Sequence, residues 1–279
     1  MLFARFLDGP LGRLFTVGFR PPGQPRPTRW VLLVPPLFEE LNKSRRTLSL
    51  LGRALAAQGF GCLLPDLYGT GDSEGEVCDA DWAGWIEDIS RAYAWLLEQG
   101  VERVDLLALR GGALLAWDWL AVDATPVPQL ILWHPFLNGR QLVQQLLRLR
   151  LAGGLMGRES AETTASLRAR LAQEGSLEIA GYRLSAGLIA SLEGSVLGAP
   201  GPRRIAALDW YQVIAAADQP LPPAVAPLVQ TWRDAGVPGR VHSVPGDSFW
   251  ATQEITEGTG LITATIEHFV AARTGNDNA

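Results

Sequence analysis

Short runs of consecutive apolar residues alternate along this chain with longer stretches in which apolar residues recur every three or four positions. The first pattern is that of strands buried on both faces, the second that of amphipathic helices. Leu2–Arg20 alternates around Asp8-Gly9-Pro10-Leu11-Gly12 and predicts an antiparallel hairpin, followed by a proline-rich connector over Pro21–Pro27. Trp30–Val34 predicts a buried strand ending at Pro35-Pro36, Ser44–Gln58 a helix stopped by Gly59, and Gly61–Leu64 a second buried strand. Asp81–Gln99 has Trp82, Trp85, Ile89 and Leu96 on one side of a helix, with Asp79 or Asp81 as its cap and Gly100 at its end. An apolar strand from Val104 turns through small residues into a further helix, and Gln129–Trp133 is the next strand. The rhythm then breaks. From Phe136 to about Arg204 only helical or irregular patterns appear, over Gln141–Leu151, Thr163–Gln173 and Leu184–Leu192. Alternation resumes with a strand at Leu208–Ala217, a helix at Pro222–Ala235, a strand at Arg240–Val244 and a last helix at Gly260–Ala272.

Strands alternating with helices imply an α/β fold with a mostly parallel, doubly wound sheet covered on both faces. The expected organisation is a core of residues 1–135 and 205–273, a helical cap over 136–204, and a polar, frayed tail over 274–279.

Composition narrows the class without naming a function. With 47% hydrophobic and 19% charged residues, the 279-residue chain suits one large α/β domain with an insertion. No run of about 18 uncharged apolar residues is present to span a membrane. The N-terminus lacks the basic region, apolar core and cleavage site of a signal peptide, so the cytoplasm is the default compartment. Cys62 and Cys78 do not make a disulfide framework, and no Cys/His cluster has metal-ligand spacing, so no metal site is expected. A formal charge of −5 offers no footprint for nucleic acid. The basic run Arg148-Leu149-Arg150 reads as a solvated helix face.

The candidate chemistry lies where ligands bind such sheets, beyond the carboxyl ends of the strands. Val104–Leu109 followed by Arg110-Gly111-Gly112 has the layout of a nucleophile elbow, G-x-S-x-G, and resembles that of the α/β-hydrolases. The small residues are in place, but Arg110 stands where the serine would be. A guanidinium stays protonated and cannot attack a carbonyl. The loop after the first parallel strand, which in that fold supplies an oxyanion-hole N–H, carries Leu37, Phe38, Glu39, Glu40, Asn42 and Lys43. Asp66-Leu-Tyr-Gly-Thr-Gly-Asp-Ser73 resembles the D-x-x-G-x-G-x-S turn common in the same fold. Asp218 occupies the place of the triad acid, and equally suits a residue that caps the helix expected at Pro222 or orders its own turn. In the last loop, Val244-Pro-Gly-Asp-Ser-Phe-Trp250, the histidine register falls on Phe249. His242 lies earlier, inside the strand. His134 ends a neighbouring strand at the pocket, and His268 lies in the final helix. Two of three triad positions therefore lack competent groups. The expected pocket comprises Leu37, Phe38, Glu39, Glu40, Lys43, Gly111, His134, Phe249 and Trp250 around Arg110, with Asp218 at the acid position.

Several longer segments carry a closer resemblance. Pro36-Leu-Phe-Glu-Glu-Leu-Asn-Lys-Ser-Arg-Arg46, the Leu109–Ala116 elbow, Trp133-His-Pro-Phe136 with Gln144–Arg150, Gly181-Tyr-Arg-Leu-Ser185 and Phe249–Ile255 together resemble the exosortase A system-associated hydrolase 2 family, over nearly the whole chain. That resemblance implies the α/β-hydrolase fold, no cofactor, an arginine at the elbow, and a setting of exopolysaccharide synthesis and sorting of proteins with a PEP-type signal. Fold alone does not fix a reaction. Two readings of Arg110 follow. In one it is a remnant that points into solvent or pairs with Glu39 or Glu40. In the other it binds an anion at a helix N-terminus, such as a lipid-linked glycan phosphate or a peptide carboxylate, assisted by Lys43 or Arg45. The second expects Arg110→Ala to abolish binding at an unchanged melting temperature. An enzyme would need relocated catalytic residues, with Ser44, Ser73, Ser248, Asp218 and His134 as candidates. The oligomeric state is left open.

Overall fold

The N-terminal hairpin is β1 (Leu2–Asp8) against β2 (Arg13–Phe19), paired without interruption from Leu2↔Phe19 to Asp8↔Arg13. It joins a larger sheet through β4 (Gly61–Pro65), which runs antiparallel to β2 and parallel to β3 (Arg29–Val34). β5 (Arg103–Leu109), β6 (Val127–Trp133), β9 (Ile205–Ile214) and β10 (Gly239–Pro245) continue in parallel. The order is β1-β2-β4-β3-β5-β6-β9-β10, eight strands in one sheet. The computed structural model describes residues 1–24, 27–123, 125–154, 162–198, 205–216 and 218–276.

The sheet is wound on both faces because its inner strands are apolar on both. Along β3, Trp30, Leu32 and Val34 enter one core while Val31 and Leu33 enter the other. The first core is covered by α2 (Trp82–Glu98) and α3 (Gly111–Val122), and the second by α1 (Glu39–Ala57) and α8 (Thr259–Asn276). Trp82, Trp85, Trp95, Trp117 and Trp119 are all buried in the first. Asp81 caps α2, accepting from the Gly84 N–H at 2.6 Å, whereas Asp79 belongs to the preceding single turn of 3₁₀ helix.

Between β6 and β9 come α4 (Gly139–Gly154), α5 (Thr164–Glu174), β7 (Ser176–Ile179), β8 (Tyr182–Ser185) and α6 (Ala186–Gly194). The antiparallel pair β7–β8 was not expected in an all-helical insertion. Its signal is short. Leu177 and Ile179 alternate with exposed Glu178, and the turn falls on Ala180 and Gly181, both at positive φ (50° and 83°). Ser185 then caps α6, so that helix begins at Ala186 rather than Leu184.

Other boundaries also move. α1 begins at Glu39 rather than Ser44, which turns the expected loop residues Glu39, Glu40, Asn42 and Lys43 into its first turns. The helix after β9 is α7 (Val225–Asp234), starting beyond Pro222 with Ala224 as its N-cap and no side-chain cap, so Asp218 does not cap it. α8 continues to Asn276, through the start of the expected tail. Residues 277–279 of that tail, 155–161 and 199–204 of the insertion, 25–26 of the connector and Ala217 of the expected strand lie outside the described residues. Among the described residues, no helix is long and apolar enough to cross a membrane.

Candidate functional site

β5 ends at Leu109, and the chain turns at Arg110 with φ 55° and ψ −119° before entering α3. A residue with a side chain is strained there by about 1–3 kcal/mol. The turn is pinned on both sides: the Arg110 N–H donates to the Trp133 carbonyl at 3.0 Å, and its own carbonyl accepts from Ala113 at 3.1 Å. Gly112 lets the helix start close to β3, since a Cβ there would lie 2.2 Å from the Pro35 carbonyl oxygen. The elbow geometry is thus present with an arginine at its apex.

The Arg110 side chain does not reach solvent; the residue is 6% exposed. Its Nε lies 3.2 Å from both carboxylate oxygens of Glu40, and Nη2 donates to Glu40 Oε1 at 3.0 Å. Nη2 also donates to Gln145 Oε1 at 3.2 Å, and Nη1 to the His134 carbonyl at 3.3 Å. Gln145 returns a bond, Nε2 to Glu40 Oε1, at 2.9 Å. The guanidinium carbon sits 3.9 Å from the centre of the Phe136 ring and 5.0 Å from that of Trp250. Charge, hydrogen bonds and aromatic faces are therefore all supplied from within the chain. Glu40 is 7% exposed, and isolating either partner of a buried pair costs about 3–5 kcal/mol. Arg110→Ala is therefore expected to cost stability, rather than to leave the melting temperature unchanged as the sequence alone suggests.

His134 follows β6 at φ 40° and is half-buried. Burial, and then the neighbouring Arg110 charge, push its pKa down to about 4. The Gln212 amide nitrogen lies 3.1 Å from Nδ1 and 3.4 Å from Nε2. The ring centre is 4.8 Å from that of Trp250. Among the described residues no hydroxyl hydrogen-bonds to this ring.

Of the residues expected at the pocket, Glu40, Arg110, His134 and Trp250 come together. Phe249 is fully buried in the core behind Trp250. Leu37 and Gly111 close the elbow from above with Leu142 of α4, which lies 2.8 Å from a Cβ built on Gly111. Phe38 turns at φ 59° ahead of α1, and its ring packs on Trp85 and Tyr182. Glu39 and Lys43 pair with each other at 2.8 Å on the outer side of α1. Arg45 pairs with Asp66 at 3.0 Å. Neither cation reaches Arg110's neighbourhood as an assistant. Asp218 is exposed, and the adjacent Gln219 orders that turn by accepting from Ala215 at 2.8 Å.

The alternative nucleophiles are equally dispersed. Ser73 is structural, accepting from the Phe15 N–H and donating to the Asp66 carbonyl. Ser44 is buried with its hydroxyl unpartnered, and Ser248 is exposed. His242 belongs to a separate cluster, with Nε2 2.6 Å from Asp209 Oδ1. Burial alone would raise the Asp209 pKa. Hydrogen bonds from His242, Arg240 and Gln129 and the nearby His268 instead hold it down at about 2. Among the described residues, no group of three His, Cys, Asp or Glu side chains could hold a metal ion.

Sequence reasoning missed Phe136, Gln145 and Gln212. Gln212 had a signal, as an uncharged polar residue inside a buried strand. Gln145 had none, since Gln144 beside it is equally polar and faces solvent.

The elbow and strand order have counterparts among known proteins. Residues 8–175, more than half of the chain, match the family model described as X-Pro dipeptidyl-peptidase (S15 family). The chain belongs to that family. The matched segment runs from the end of β1 to the end of α5. It includes the elbow but stops before β9, β10 and the loops that follow them. Among curated proteins, none matches the chain. Solved structures show the same fold at low identity. Est1E from Butyrivibrio proteoclasticus, with ferulic acid bound, is 13% identical over 98% of this chain and 100% of its own, with a TM-score of 0.65. XC6422 from Xanthomonas campestris, described as an a/b serine hydrolase without lid, is 16% identical over 97% and 94%, with a TM-score of 0.58. Mouse alpha/beta hydrolase domain-containing protein 10 is 12% identical over 98% and 99%, also at 0.58. The fold is that of the α/β-hydrolases.

Proposed function

We propose that this chain is a binding or regulatory protein on an α/β-hydrolase scaffold. Its triad is degenerate, with Arg110 at the nucleophile position and Phe249 at the histidine position. The observation that carries this reading is the guanidinium at the elbow, locked onto buried Glu40 where a free hydroxyl would be needed. Arg110 holds Glu40 in the unliganded protein, and an anionic group takes the carboxylate's place when a ligand binds. A phosphate on a lipid-linked glycan or a peptide carboxylate has the required two-oxygen face. The resemblance to the exosortase A system-associated hydrolase 2 family supports a setting of exopolysaccharide synthesis and PEP-type protein sorting. Asp218 then has no histidine to orient.

Membership of a family described as a peptidase favours a second reading, a hydrolase whose nucleophile lies away from the elbow. Fluorophosphonate labelling followed by intact and peptide mass spectrometry separates the two. The binding reading expects no stoichiometric adduct while a control serine hydrolase labels fully. One adduct on a single serine, Ser44 or Ser248 included, overturns it.

A further inference from the structure

β1 is the outer strand of the sheet; Arg91 Nε covers the Asp8 carbonyl at 3.2 Å, while among the described residues the edge from Leu2 to Phe6 is unpaired. It contains no proline, and its unbroken register with β2 leaves no room for a bulge. Its one lysine-like charge is Arg5, whose guanidinium lies over Trp95 at 4.7 Å. Met1 and Arg20 exchange both backbone hydrogen bonds. The alternation of an antiparallel ladder then assigns Phe3, Arg5 and Leu7 to bonds with β2. The N–H and C=O groups of Leu2, Ala4 and Phe6 therefore point outward. The side chains of these three residues share the sheet face opposite Trp95. Leu2 is 53% exposed and Phe6 44%. Beside Leu2, a cavity of about 340 Å³ is lined by Phe19, Pro22, Ala56 and Ala57.

We propose that this edge pairs with β1 of a second copy, joining two sheets antiparallel about a two-fold axis at Ala4. The sequence of β1 is self-complementary in that register. Ala4 faces Ala4, Leu2 faces Phe6, and Phe3 faces Arg5, so apolar residues oppose apolar ones and no like charges meet. Sliding by two residues one way would set Arg5 against Arg5 and Leu2 against Asp8, which like charge and a carboxylate opposite an apolar residue disfavour; sliding the other way would set Phe3 against Phe3 and leave Phe6 without a partner strand residue. The outward polar groups of Leu2, Ala4 and Phe6 are then satisfied in both copies. The interface is isologous and closed, so association stops at two.

The test is the mass of the full chain, tagged at its C-terminus, by sedimentation velocity and light scattering. The wild type is expected at two chains. Ala4→Pro removes only an outward N–H, which edge strands tolerate, and Phe6→Lys charges the exposed face. Both are expected as folded monomers with unchanged circular dichroism. A two-fold pair at Ala4 brings its Cα atoms to about 5.5 Å, within disulfide range. In a Cys78→Ser background, Ala4→Cys is expected to cross-link two chains on oxidation and Arg5→Cys is not. A wild-type monomer overturns the proposal, as does a dimer that survives both edge variants or a cross-link formed through Arg5→Cys in preference to Ala4→Cys.

Discussion

The guanidinium of Arg110 and the carboxylate of Glu40 are each under a tenth exposed as side chains, and among the described residues each is the other's only counter-charge within hydrogen-bond reach. Their attraction offsets their desolvation only while both are present. Arg110→Ala or Glu40→Gln is therefore expected to lower the unfolding free energy by about 3–5 kcal/mol. The double change Arg110→Met with Glu40→Leu fills similar volume without charge and is expected to recover most of that loss. Urea unfolding of the four proteins measures both losses and the recovery. Single variants as stable as wild type would show that the pair is not closed in solution.

Helix α3 approaches the end of β3 so closely that only glycine fits at 112, while Gly187 in α6 has open space around it. Gly112→Ala is expected to push α3 off the sheet and cost about 1–3 kcal/mol. Gly187→Ala should hold or raise the thermal midpoint. Equal midpoints for both would contradict the close approach. The same element shows what was legible in the chain. Strand, turn and helix at the elbow follow from an apolar run meeting two glycines, which is local information. The partner of Arg110 was not legible, because the choice between Glu39 and Glu40 depends on where α1 begins. With Phe38 at positive φ the helix starts at Glu39. One residue step of the helix then turns Glu40 inward and leaves Glu39 to Lys43. Gln145 and Gln212 reach the same spot from segments far away in sequence, and no periodicity within one element reports a meeting of that kind.

Across the molecule, two buried groups tilt the pH dependence of stability in opposite senses. Asp88 in α2 is fully buried and accepts from the Tyr68 N–H through one oxygen, the other being unpartnered. Burial, with Glu87 and Asp81 nearby, pushes its pKa from 3.8 up to about 7. The unfolded chain therefore releases this proton first, and stability falls as pH rises through that window. His134 is depressed from 6.5 to about 4, so the unfolded chain binds its proton first, and stability falls as pH drops through that window. The two slopes oppose each other between pH 4 and 6.5. Compared with wild type, Asp88→Asn is expected to show stability rising with pH there, and His134→Gln to show it falling. Parallel curves for all three proteins would refute the assignment. The Gln145 side chain ties helix α4 to both charges at once, so three distant segments are coupled at one point. A change of Arg110 alone would strand the Glu40 carboxylate in the interior and leave Gln145 Oε1 without its donor. Positions 40 and 110 are therefore free to vary together and costly to vary apart, which makes the pair a brake on drift at this end of the sheet.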